Sequence, residues 1–194
     1  MIGYLRYSER LNLSQINIYL LLAGFAASVI LRVGIGGREV AYSWVAGILF
    51  AACLVLLSIA SGTRTAINYR VVVVGFASGL LLLIPALLTS SHQAHPLGNY
   101  ATWAAIVSVV AMAEEFFLRG ALFNAVKKAH SDNLAIIIAA TAFALLHVPL
   151  YGWHVVPLDF FVGLYLGVVR SFGGSWVTPG IAHTVADLAG WWLV

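Results

Sequence analysis

Hydrophobic residues run along this chain in long blocks, each near the length of a bilayer crossing and each closed by a short polar stretch. A transmembrane helix needs about 20 mainly apolar residues. The blocks predict helices at 16–33, 41–61, 71–89, 101–126, 133–150, 155–171 and 176–193. Closed barrels are the other way to satisfy backbone polar groups in lipid. These runs are too long and too evenly apolar for barrel strands. The predicted fold is therefore all-α, a polytopic membrane bundle of about seven transmembrane helices in a single integral-membrane domain, residues 1–194. The block at 155–171 is the least regular, because Pro157 and Asp159 lie near its start, and an interfacial placement is the alternative. Arg6 and Arg10 precede the first block much as they would in a signal peptide. The apolar run continues without a small-residue cleavage site, so it reads as a retained first helix.

Composition strengthens the assignment. Of 194 residues, 62% are apolar and only 9% charged, against about 25% charged in a typical soluble domain. The net charge of +3 forms no basic stripe, so nucleic acid is excluded as a partner. The bilayer is the constant partner. Basic residues in short loops report orientation instead. With the N-terminus cytoplasmic, the inner segments hold Arg6, Arg10, Arg64, Arg70, Lys127, Lys128 and Arg170, and the outer ones hold Arg32 and Arg38. The chain then ends outside, with Trp191 and Trp192 as interfacial anchors. Small size and short loops suit a bacterial plasma membrane. Cys53 is the only cysteine, which rules out an internal disulfide, and within an apolar run it reads as a packed thiol. The connection from Ser90 to Tyr100 contains His92, His95 and Pro96 and reads as a polar loop, with a surface metal site as the alternative.

A short set of ionisable residues falls inside the apolar blocks: Glu114, Glu115, Arg119, His147, His183 and Asp187. A carboxylate at membrane depth costs about 2.5–3.5 kcal/mol on insertion scales, and two adjacent ones call for a reason. At 1.5 Å per residue, Glu114 and His147 lie roughly 18 and 21 Å from the hairpin at 127–132, while His183 and Asp187 lie roughly 11 and 17 Å from the same side. Three helices thus carry their polar groups to broadly one level. Helical phase then separates the glutamates. Glu115 and Arg119 are i and i+4 and form natural ion-pair partners. Glu114 is turned away by about 100°, is less readily satisfied by Arg119, and is left as the candidate general base. His183 and Asp187 are also i and i+4, so Asp187 can orient the imidazole or fix its tautomer. Phe116, Phe117 and Phe143 read as packing residues, and Gly163-x-x-x-Gly167 as a small-residue helix contact.

The order Glu114-Glu115-x-x-x-Arg119, Phe143-x-x-x-His147, His183-x-x-x-Asp187 resembles the CPBP family. That family holds the CAAX prenyl endopeptidases of the Rce1 type and bacterial proteins linked to bacteriocin processing and self-immunity (Abi proteins). The approach from Phe160 to His183, with Gly163, Gly167, Gly174 and Trp176, is also similar, and the likeness covers about residues 100–190. It implies a glutamate-dependent intramembrane endopeptidase without a cofactor or metal, acting on a peptide or protein with a membrane-associated segment. By the same resemblance, Glu114 and His147 activate water, Glu115 and Arg119 support them, and His183 with residue 187 stabilises the oxyanion. The family commonly has asparagine at the last position, whereas this chain has Asp187. Asparagine donates hydrogen bonds and ionised aspartate does not, so Asp187 is expected to act through His183.

Two other functions fit the same residues. Glu114, His147, His183 and Asp187 are chemically adequate ligands for zinc or manganese, although no H-E-x-x-H helix motif is present. Buried Glu, His and Asp are also the material of proton relays. A transporter or a toxin-binding immunity protein is therefore the non-enzymatic alternative.

Overall fold

The computed structural model describes residues 2–41, 43–89 and 99–193; His92, His95 and Pro96 lie outside the described residues. Its helices are α1 (Ile2–Gly36), α2 (Trp44–Ala60), α3 (Tyr69–Thr89), α4 (Tyr100–Glu115), α5 (Phe123–Ala129), α6 (Asp132–Tyr151), α7 (Val156–Gly173) and α8 (Val177–Leu193). A π-helical segment, Phe116–Leu122, joins α4 to α5 in one continuous rod. There is no strand among the described residues. Each apolar block of the sequence is a helix, so the protein is an integral-membrane helical bundle. Among the described residues Asn17–Glu39, Tyr100–Ala129, Asp132–Tyr151 and Trp153–Gly173 are long and apolar enough to cross a membrane, and Trp44–Ala60 and Tyr69–Ile84 are shorter apolar helices. The irregular block near Pro157 thus belongs with the long ones, and Pro157 sits in the first turn of α7, where its missing N–H costs nothing.

Polar residues set the helix starts. The Ser43, Asn99 and Ser131 side chains accept from the backbone N–H groups of Ala46, Ala101 and Leu134, satisfying donors that the first turn leaves free. At the other end of α7, Gly174 turns into the left-handed region at φ 71°, and its N–H bonds Arg170 O.

Burial is inverted relative to a soluble protein. Leu20, Leu56, Phe161, Phe172 and other large apolar side chains face outward, while Arg119 and Glu115 are wholly enclosed. The interior is built on Phe117, Leu118, Leu122, Phe50 and Leu54, with Phe25 of α1 stacked on Phe117 at 5.2 Å. Helices in lipid gain no hydrophobic drive from each other, so close backbone approach decides which pairs form. The expected Gly163/Gly167 contact lies between α7 and α6, where a Cβ on Gly163 would meet Ala140 Cα at 2.8 Å. The pattern recurs on α3: a Cβ on Gly75 would meet Thr178 O of α8 at 2.8 Å, and one on Gly79 would meet Ala182 O at 2.8 Å.

Gly79→Ala is therefore expected to lower stability in detergent by about 1–3 kcal/mol, the usual effect of overpacking, because backbone stands where the methyl must go. Gly34→Ala, with nothing within 4 Å, is the control and should not lose stability. Equal unfolding midpoints for the two variants would refute the close α3–α8 approach.

Candidate active site

Glu115 lies at the last position of α4, and Arg119 one turn later in the π-helical segment. Both are fully enclosed, so each needs partners from the protein. Arg119 Nη1 donates to Glu115 Oε1 at 2.6 Å and Nη2 donates to Gly163 O of α7 at 2.8 Å. The guanidinium also lies over the Phe143 ring of α6 at 5.0 Å. The absence of a side chain at Gly163 brings α7 close enough for its carbonyl to be used. Arg170 Nε donates to Arg119 O at 2.9 Å, fixing a carbonyl within the π-helical segment. Such irregular turns recur at functional sites.

Glu115 Oε1 also meets His183 Nδ1 of α8 at 3.2 Å. An ionised carboxylate only accepts, so Nδ1 carries the hydrogen. On the far edge of the ring, Nε2 faces Asp187 Oδ2 at 3.5 Å. That contact is favourable when a proton lies between them, on the imidazole or on the carboxyl group.

Glu114 is 3% exposed and shares no hydrogen bond with this network among the described residues. Among the described residues its carboxylate meets Arg32 Nη1 of α1 at 3.7 Å, beyond hydrogen-bond length, and accepts no hydrogen bond. His147 of α6 places Nδ1 3.0 Å from Phe143 O and 3.4 Å from Asp159 Oδ2 of α7. A carbonyl only accepts, so Nδ1 is the protonated nitrogen and a neutral His147 presents Nε2 as a lone pair. The Phe143 ring is edge-on to both imidazoles, 4.7 Å from His147 and 5.3 Å from His183. His183 and Arg32 act electrostatically on both Glu114 and His147, so the residues share one electrostatic neighbourhood.

Of the residues expected from sequence, the structure joins Glu115, Arg119, His183 and Asp187 in one network. It sets Glu114 against Arg32 and His147 against Asp159. Among the described residues there is no direct hydrogen bond or ion pair between Glu114 and His147. Arg32 and Asp159 are the two additions. The Glu115–Arg119 and His183–Asp187 contacts are present as i,i+4 pairs, and His183 joins them. Arg32 requires a correction. It is no outer-loop cation but a residue of α1, 8% exposed, over the Phe50 ring at 4.8 Å and against Glu114. Its partner lies 82 positions away in sequence, which helical periodicity cannot link. Asp159 is the second addition. Its signal was a lone carboxylate in the first turn of an apolar helix, and it meets His147 through the tertiary fold.

An open apolar groove of about 350 Å³, lined by Val55, Val109, Met112, Phe116 and Trp176 among others, lies on the opposite side of α4 from Glu114 by helical phase. It takes no part in this site. Among the described residues no three His, Cys, Asp or Glu side chains are grouped to hold a metal ion.

No curated protein and no solved structure matches the chain. Residues 96–189 match a family described as type II CAAX prenyl endopeptidase Rce1-like, and the matched stretch contains Glu114, Glu115, Arg119, His147, His183 and Asp187 while leaving out Arg32. Carrying all three motifs in order within that stretch, the chain is similar over residues 96–189 to the Rce1-like family of type II CAAX prenyl endopeptidases.

Proposed function

We propose that this protein is a glutamate-dependent intramembrane endopeptidase that hydrolyses a peptide bond near a membrane-associated segment of its substrate. One contrast carries the reading. Of two adjacent buried carboxylates, Glu115 is engaged by Arg119 and His183, whereas Glu114 accepts no hydrogen bond among the described residues. A group that must take a proton from water needs that freedom.

In this mechanism Glu114 removes a proton from a water molecule as the water oxygen bonds to the scissile carbonyl carbon. His147, with its Nε2 lone pair, holds the same water. The tetrahedral intermediate collapses as the C–N bond breaks, and Glu114 returns the proton to the leaving amine. Arg119 holds Glu115, Glu115 holds His183, and Asp187 acts on the far side of that ring. Asp159 fixes the orientation of His147. A prenylated C-terminal tail is the substrate class named by the family. The same reading places the N-terminus in the cytoplasm of a bacterial cell, with Arg64, Arg70, Lys127 and Lys128 at the inner face.

The test uses the purified full chain in lipid vesicles, a farnesylated peptide ending in a C-a-a-X sequence, and water enriched in ¹⁸O. The expected product is a shortened peptide with ¹⁸O in its new carboxyl group, formed equally well with a chelator present. Loss of cleavage on chelation, restored by a single metal, would establish the metallopeptidase alternative. Absence of any cleavage would favour the transport or immunity reading.

A further inference from the structure

Burying an arginine without giving its N–H groups acceptors carries a desolvation penalty. Arg32 carries that penalty: its side chain is 9% exposed, and Nε and Nη1 are enclosed with no hydrogen-bond partner among the described residues. The Phe50 ring lies beneath the guanidinium, and Glu114 Oε1 stands 3.7 Å from Nη1. The unsatisfied donors are therefore beside the residue assigned as the base.

The rest of the site is short of donors. The family's usual asparagine would offer an N–H at position 187, but this chain has Asp187, and an ionised carboxylate donates nothing. His183 uses Nδ1 on Glu115 Oε1 and turns Nε2 toward Asp187. Arg119 uses Nη1 on Glu115 and Nη2 on Gly163 O. Its Nε is also unpartnered among the described residues, but that side chain is wholly enclosed, whereas Arg32 keeps 9% of its side chain exposed. Peptide hydrolysis places a full negative charge on the former carbonyl oxygen, and donors positioned in advance for that oxygen are usually the largest single contribution to catalysis.

We propose that Arg32 is a further catalytic residue, whose free guanidinium N–H groups hold the oxyanion of the tetrahedral intermediate. This rests on the endopeptidase reading above. As the water oxygen bonds to the carbonyl carbon and Glu114 takes the proton, the carbonyl π electrons move to oxygen, and the oxyanion becomes the acceptor that Arg32 lacks in the resting enzyme. When the C–N bond breaks, the electrons return to the carbonyl and the contact weakens. The first helix thereby supplies a reacting group from outside the family-matched stretch.

The experiment compares the wild type with Arg32→Gln and Arg32→Lys, all as full chains in vesicles. It measures kcat and KM on the farnesylated peptide, and the affinity of a peptide analogue with a tetrahedral phosphonate in place of the scissile amide. Arg32→Gln is expected to lower kcat by about 10²–10³ with KM changed less than about threefold. It should weaken phosphonate binding by a similar factor, since a transition-state contact is lost and a ground-state one is not. Arg32→Lys retains the charge beside Glu114 and guards against a folding failure. Having no planar fork, it should also lose kcat and phosphonate affinity together.

A fall in kcat with phosphonate affinity unchanged would overturn the proposal, leaving Arg32 as a positioning residue for Glu114. Wild-type kcat in both variants would also overturn it. If the wild type cleaves and Glu114→Gln does not, either result leaves the endopeptidase reading standing. If the wild type cleaves nothing, both readings fall.

Discussion

Glu114→Gln should reduce peptide turnover by about 10²–10⁴, the usual contribution of a positioned general base, with the fold retained. Glutamine keeps the shape and volume of the side chain and loses only the ability to take a proton. Glu114 accepts no hydrogen bond among the described residues, but it is the countercharge 3.7 Å from the buried Arg32. The unfolding midpoint should therefore fall somewhat, while the fold is kept and KM changes little. Glu115→Gln makes the informative comparison, since it disturbs a carboxylate held by both Arg119 and His183. It should lower activity and stability together. Full activity in Glu114→Gln alongside a stable but inactive Glu115→Gln would reverse the two assignments.

The largest effect on stability is expected at Arg119. Truncating one partner of a buried ion pair costs about 3–5 kcal/mol, because the other is left charged and uncompensated. Arg119→Met would leave the enclosed Glu115 with His183 alone and Gly163 O without its donor. Arg119→Lys should recover only part of the loss, since one ammonium replaces a planar fork reaching two acceptors on different helices. Pairing Arg119→Met with Glu115→Leu should cost less than the sum of the single changes, as expected for residues in one network. Denaturant unfolding in detergent reads all three quantities. An additive double variant would show that the pair does not act as a unit.

The helices and the two i,i+4 pairs were legible because both depend on local rules: the length of an apolar run, and the repeat of 3.6 residues. Depth along each helix brought α4, α6 and α8 to a common level by the same arithmetic. What stayed hidden depends on contacts between distant segments. Arg32 sits four residues before the end of α1, where a count of charges near helix ends assigns it to a loop. Only the packing of α1 against α2, α5 and the π-helical segment that continues α4 brings it to Glu114. Asp159 was seen as an irregularity of its helix, because its partner His147 lies across the α6–α7 connection. The π-helical segment at Phe116–Leu122 has no hydropathy signature, since it changes which carbonyl each N–H reaches and leaves the apolar pattern intact. Gly75 and Gly79 follow the same four-residue spacing as Gly163 and Gly167, yet spacing alone does not say which helix they meet.

The α3–α8 approach bears on how this protein can change over evolutionary time. A Cβ on Gly79 would meet the carbonyl of Ala182 at 2.8 Å, the residue next to His183, so a methyl group gained on α3 would shift the backbone that carries that imidazole. Selection on hydrolysis would therefore act on glycines that carry no chemistry and lie outside the stretch that matches the family. A saturation screen scored by cleavage should find α3 intolerant of substitution at Gly75 and Gly79 and permissive at its outward-facing Val73 and Leu81.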